Sequence, residues 1–140
     1  MILTPALRII LGIATVSSTY RMAYAQPSNS VLDAIAFVET SGEKNPNIAI
    51  GDNGKALGKY QIHRDYFADA IEFNKALAIY KYEDVTDPNV ARKIVIAYIT
   101  RYGGKNVSDE AAARIHNGGP RGHKKNSTLG YWKKIQNAMR

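Results

Sequence analysis

Between Asp87 and Gly104 the chain spells out one helix with both ends marked, "DPNVARKIVIAYITRYGG". Asp87 supplies a cap, and Pro88 takes the first helical position, where its missing N–H costs nothing. Gly103-Gly104 stops the helix. Val90, Ile94, Ala97 and either Tyr98 or Ile99 recur at helical spacing and make a buried face. Other segments must supply the surfaces that this face packs on. Residues 31–38 carry apolar side chains at 31, 32, 35 and 38, with Asn29 or Ser30 as the cap and Thr40-Ser41-Gly42 as the stop. Residues 63–78 read as a second helix broken near Asn74. A short helix follows from Ser108, with Asp109 and Glu110 favourably placed in its first turn. Ser127 opens a last helix with Leu129, Trp132, Ile135 and Met139 on one face. Only 48–62 breaks the helical pattern: Asn53-Gly54 is a tight-turn signal, and the segment reads as a small irregular hairpin. The expected class is α+β, predominantly helical, with the hairpin inserted between the first two helices.

The first 25 residues stand apart. Arg8 precedes an apolar run from Ile9 to Val16, and Ala23-Tyr24-Ala25 forms a small-x-small cleavage pattern. Residues 1–25 are therefore expected to be a secretory signal peptide, 26–30 a linker, and 31–140 the catalytic domain. The apolar run is too short to span a bilayer, so stable membrane insertion is not expected. The location expected is outside the cell membrane, periplasmic or secreted, and the chain is expected to be a monomer.

Removing the leader takes Arg8 and Arg21 and lowers the net charge from +7 to +5, leaving about 115 residues. With no cysteine, thiol catalysis and thiolate metal sites are excluded. After Glu110 there is no acid, while Arg114, Arg121, Lys124, Lys125, Lys133, Lys134 and Arg140 follow. Such a run is either a solvated helix face or a surface for an anionic polymer. Export points to an anionic cell wall rather than nucleic acid, and neither zinc-finger spacing nor a basic-aromatic strand motif is present.

Two acids stand where chemistry can use them. Glu39 ends an apolar helix, where the dipole and partial burial both favour a protonated carboxyl, as a general acid requires. Its other reading is an exposed side chain in the last turn. Asp52, thirteen residues on, either closes its turn or serves as a second, ionised carboxylate. One neutral and one charged carboxyl on facing elements are what glycoside hydrolysis uses. Gly58 permits close approach to the backbone, and Gln61 has donors and acceptors for hydroxyl or acetamido groups; with Tyr60 they form either a sugar-binding segment or a core strand. His116 and Asn117 lie in "HNGG", which is either a helix stop or a binding element. The three histidines at 63, 116 and 123 are too scattered for a metal site. Nine tyrosines and Trp132 offer stacking surfaces or core filling.

The segments "VETSG", "GDNGKALGKYQIHRDYFADA", "YITRY", "ARIHNGGPRG" and "YWKKIQ" occur in the order seen in invertebrate-type lysozymes and their bacterial relatives, the destabilase group. The resemblance runs from Val31 to Gln136, and "GKYQIH" and "ARIHNGGP" are its most specific parts. It implies a lysozyme-like fold that cuts the glycan strands of peptidoglycan. Glu39 falls on the family's general acid and Asp52 on its second catalytic carboxylate. Gly58, Tyr60 and Gln61 match its cleft segment, and His116 and Asn117 its "HNGG" segment. No metal or organic cofactor is implied. Animal members are rich in cysteine and this chain has none, so its fold must rest on apolar packing. The isopeptidase activity credited to some relatives does not carry over, because no nucleophile-base pair is evident.

The expected activity is a muramidase that hydrolyses the β-1,4 bond between N-acetylmuramic acid and N-acetylglucosamine. One rival is a lytic transglycosylase, in which Glu39 acts alone and the product carries a 1,6-anhydro ring. Another is a catalytically inactive wall-binding adaptor. The presence of both carboxyls weighs against each.

Overall fold

The structure is a computed structural model describing residues 26–140; the leader expected over 1–25 lies outside these residues. The elements run α1 (Asn29–Glu39), β1 (Ile50–Gly51), β2 (Ala56–Leu57), β3 (Ile62–His63), α2 (Arg64–Phe73), α3 (Pro88–Gly103), α4 (Asp109–Gly118) and α5 (Leu129–Ala138), with short 3-10 turns between several of them. The predominantly helical class with a small sheet between the first two helices is what the sequence predicts.

α3 is the centre of the core. Val90, Ala91, Ile94, Val95, Ala97, Tyr98 and Ile99 are all buried, more of its surface than a one-sided stripe would cover. It packs on α2 along one side and α4 along another. Asp87 caps it, its Oδ1 accepting from the N–H groups of Asn89 (2.7 Å) and Val90 (3.2 Å). Gly104, at φ +74°, ends it.

α1 buries Val31, Leu32, Ala34 and Ile35. Its cap is Ser28, not Asn29 or Ser30, both of which are already helical. Ser28 Oγ accepts from Val31 N (3.1 Å) and donates to Asp109 Oδ2 (3.0 Å), so one hydroxyl both starts α1 and ties it to the head of α4. α2 ends as expected at Asn74, whose Oδ1 accepts from Ala76 N and opens a 3-10 turn.

The hairpin is one strand richer than the sequence suggests. β1, β2 and β3 form an antiparallel meander, with Gly51 opposite Ala56 and Ala56 opposite His63. The β1–β2 turn is the one Asn-Gly specifies: Asn53 and Gly54 lie at φ +53° and +88°, and Lys55 N–H donates to the Asp52 carbonyl at 3.1 Å.

α5 begins at Leu129 rather than Ser127. Thr128 is buried and turns its hydroxyl toward the Gly122 and Lys125 carbonyls (both 2.8 Å), so a 3-10 turn precedes the helix. Leu129 is exposed, and the inward side is made by Tyr131, Trp132, Ile135, Ala138 and Met139. Among the described residues no helix is long and apolar enough to cross a membrane.

Candidate active site

α1 packs on α4 and α5, and Glu39 is its last residue. The inward stripe of α1 is apolar, so the helix end is drawn into the core and Glu39 keeps only 21 % of its side chain exposed. Tyr131 of α5 donates its hydroxyl proton to Glu39 Oε1 at 2.6 Å. His116 of α4, whose side chain is 4 % exposed, brings Nε2 to 3.6 Å from the same oxygen. The other ring nitrogen, Nδ1, lies 3.0 Å from the hydroxyl of Tyr66 on α2. Tyr66 in turn is stacked on Tyr98 of α3, ring centres 3.5 Å apart. α5 and α4 thus reach the carboxyl directly, and α2 is linked to it through His116.

Burial sets the charge state of these partners. It lowers the affinity of His116 for a proton, and only in part is this opposed by the negative charge of Glu39 and the Tyr60 carbonyl. Burial likewise raises Tyr66 well above the ordinary phenol range, with Tyr98 and Glu39 adding to it. Tyr131 is raised by burial first and by its contact with Glu39 second. Both phenols therefore keep their protons, and the imidazole favours its neutral form.

Asp52 faces the same space from the sheet. Its side chain is 54 % exposed, and Oδ2 lies 3.6 Å from Nε2 of His63, itself half exposed. Among the described residues its carboxylate accepts no hydrogen bond from the turn; the turn is closed by the Asp52 carbonyl instead. The residue sits at φ +46°, a left-handed conformation that a non-glycine adopts at some cost. Turn-making accounts for this backbone, since aspartate tolerates the left-handed region, but it does not use the carboxylate, which faces His63 instead.

A cleft of about 330 Å³ is lined by Glu39, Asp52, Ala56, Gln61, His63, Tyr66, His116 and Asn117. Of the residues singled out from the sequence, Glu39, Asp52, Gln61, His116 and Asn117 come together here. Gly58 and Tyr60 lie behind the cleft rather than on it. Tyr60 is fully buried, with its ring edge toward His116. At Gly58, φ +78°, the close approach is by the protein itself: a Cβ there would stand 2.7 Å from the Val85 carbonyl oxygen. Gln61 braces the sheet. Its Nε2 donates to the carbonyls of Gly58 (3.0 Å) and Ala49 (3.3 Å), while its Oε1 occupies the space a side chain on Gly51 would need.

Cavities of about 370 and 460 Å³ lie elsewhere, the first around Phe73, Leu77 and Ile96 and the second around Phe37, Val38 and Ala138. Neither is lined by a carboxylate, and another of about 270 Å³ around Lys55, His63 and Asp65 has one; the cleft of Glu39 and Asp52 has two, so chemistry rather than size picks out the site. Among the described residues no group of three or more histidine or acidic side chains could hold a metal ion.

Sequence reasoning missed Tyr66, Tyr131 and His63. The signal for Tyr131 was its spacing: residues 131, 135 and 138 share the inward face of α5, whereas the stripe drawn from the sequence began at Leu129.

Residues 28–138 match the family model described as Destabilase. A lysozyme of Magallana gigas is 32 % identical over 131 residues, spanning 91 % of this chain and 92 % of its own. The structure superposes on Meretrix lusoria lysozyme, solved in complex with Aeromonas hydrophila PliI, with a TM-score of 0.64 at 32 % identity, covering 79 % of this chain and 88 % of that one. Tapes japonica lysozyme gives a TM-score of 0.64 at 29 % identity, covering 78 % and 88 %. Sequence along almost the whole described length, and the fold with it, agree: the chain belongs to the destabilase family of invertebrate-type lysozymes.

Proposed function

We propose that the protein is a peptidoglycan muramidase, cutting the β-1,4 bond between N-acetylmuramic acid and N-acetylglucosamine, with Glu39 as general acid and Asp52 as the second carboxylate. The observation that carries the reading is the unequal pair on one cleft. Glu39 is mostly buried at a helix end, and Asp52 is half exposed on a turn whose own hydrogen bonds do not use its side chain. Two carboxyls bordering one cleft are what glycoside hydrolysis uses. Glu39 protonates the leaving oxygen. Asp52 then either attacks the anomeric carbon or stabilises the cation-like transition state, and Glu39 activates the incoming water. Gln61 and Asn117 border the space the sugar occupies.

The n-region, apolar run and small-x-small pattern within 1–25 support export, which would bring the enzyme to peptidoglycan outside the membrane. The reading is tested on purified peptidoglycan, with products identified by mass spectrometry. Hydrolysis leaves reducing muramic acid ends; 1,6-anhydro ends would establish a transglycosylase instead. Glu39→Gln should abolish most turnover, and Asp52→Asn should lower it by orders of magnitude while keeping the turn. Full activity in Glu39→Gln would overturn the assignment.

A further inference from the structure

We infer that Tyr131 and the Tyr66–His116 pair act together as positioning residues that hold Oε1 of Glu39 as the unprotonated oxygen, so that Oε2 alone carries the proton given to substrate. The inference rests on Glu39 being the general acid and adds which of its oxygens does the work and what enforces it.

Tyr131 directs its O–H at Oε1 from 2.6 Å. His116 Nε2 faces that same oxygen at 3.6 Å, an electrostatic contact longer than a hydrogen bond. A neutral imidazole carries one proton, so the group at Nδ1 decides where it sits. That group is the Tyr66 hydroxyl, 3.0 Å away, and the ring nitrogen is its one hydrogen-bond partner among the described residues. If Tyr66 donates, Nδ1 is an acceptor, the imidazole proton is on Nε2, and the dipole points at Oε1 favourably. If Tyr66 accepted, its own proton would have no acceptor in the protein, and the Nε2 lone pair would confront Oε1. The donating arrangement gives the Tyr66 proton and the imidazole proton a partner each, Nδ1 and Oε1, with the Tyr60 carbonyl a further acceptor beside the ring.

Oε1 then faces the Tyr131 proton and the Nε2 proton. A proton on Oε1 could be given only to the Tyr131 oxygen, and the phenol's own proton would then have no acceptor among the described residues. Oε2 has no hydrogen-bond partner among the described residues, and Glu39 borders the cleft. The acid proton therefore belongs on Oε2. When it leaves, the new charge is stabilised at Oε1 by donors already in place, with no reorganisation needed. Oε2 is then free to take a proton from water in the second half of the reaction. The burial that keeps both phenols protonated and the imidazole neutral maintains this arrangement at neutral pH.

The test has two readouts. In uniformly ¹⁵N-labelled protein, the imidazole of His116, assigned by its loss in His116→Gln, should be the neutral Nε2–H tautomer; Tyr66→Phe should weaken that preference. Tyr131→Phe keeps the ring and removes the hydroxyl. It should lower kcat about 10- to 100-fold, the rate equivalent of one hydrogen bond to a charged group, with KM and melting temperature unchanged. The Nδ1–H tautomer in the wild-type protein, wild-type kcat in Tyr131→Phe, or a loss carried by KM would each overturn the inference. Its failure is separable from that of the underlying reading. An inactive Glu39→Gln beside a fully active Tyr131→Phe rejects the positioning role alone, whereas an active Glu39→Gln rejects Glu39 as the acid.

Discussion

At Gly58 the side chain has been removed so that two stretches of backbone can meet. The residue is at φ +78°, and a Cβ would stand 2.7 Å from the Val85 carbonyl, which cannot swing aside as a side chain could. Gly54, at φ +88°, has open space around it. Gly58→Ala should therefore destabilise the protein clearly more than Gly54→Ala, whose cost is the left-handed backbone alone, about 1 kcal/mol; paired urea titrations measure the difference. A second residue-scale effect concerns pH. Burial lowers the folded-state pKa of His116 below its unfolded value, so the unfolded chain binds the proton more readily. This group costs nothing above the unfolded value of about 6.5 and becomes destabilising as pH falls below it. Acidifying from pH 7 to 5 should lower the urea midpoint of the wild type more than that of His116→Gln; equal losses would exclude His116 as the source. Such residues divide by how far their meaning reaches along the chain. That Glu39, Asp52, His116 and Asn117 are candidates was legible because a helix end, a turn signal and the "HNGG" segment point to them, and they line one cleft. Tyr66 and Tyr131 were not, because their partners lie 50 and 92 residues away and no periodicity spans that distance.

Elements were legible where their ends are local events. Asp87 and Gly104 bracket α3, Ser108 caps α4 through Ala111 N, and Asn74 breaks α2 where the sequence marks a break. The start of α5 was misjudged for a tertiary reason. Thr128 is committed to a polar knot that fastens the segment before α5 onto α4. Arg114, 9 % exposed, donates Nε to Thr128 Oγ1 (2.9 Å) and its terminal nitrogens to Glu110 Oε1 (2.6 Å) and the Lys125 carbonyl (3.0 Å). In a chain without cysteine, this knot does the tethering that a covalent bridge would do, and α5 carries Tyr131 to Glu39. Thr128→Val keeps the shape but leaves Arg114 Nε buried without an acceptor, a loss of about 1–3 kcal/mol. Denaturation should show that loss, together with a drop in kcat as α5 loosens. Undiminished stability would mean that the knot does not fasten the helix.

For the whole molecule, the fold class followed from a run of helices with one small hairpin between the first two, whereas the exposure of the charges needed the structure. Seven cations follow Glu110 in the sequence, but Arg114 is buried and paired with Glu110, so it contributes little to the outer field. The remaining Arg121, Lys124, Lys125, Lys133, Lys134 and Arg140 are exposed, and no acid lies among them. Exposed cations of this number attract anionic polymer over a range set by salt, about 8 Å at physiological ionic strength. It does nothing for a neutral oligosaccharide bound in the cleft. Lysis of whole bacterial cells should therefore fall with added salt more steeply than cleavage of a short chitin oligomer. Reversing Lys133 and Lys134 to glutamate should flatten the first curve and leave the second in place, since neither residue borders the cleft. Parallel curves for the two substrates, or a double reversal that leaves cell lysis unchanged at low salt, would show that the basic face plays no part in reaching the wall.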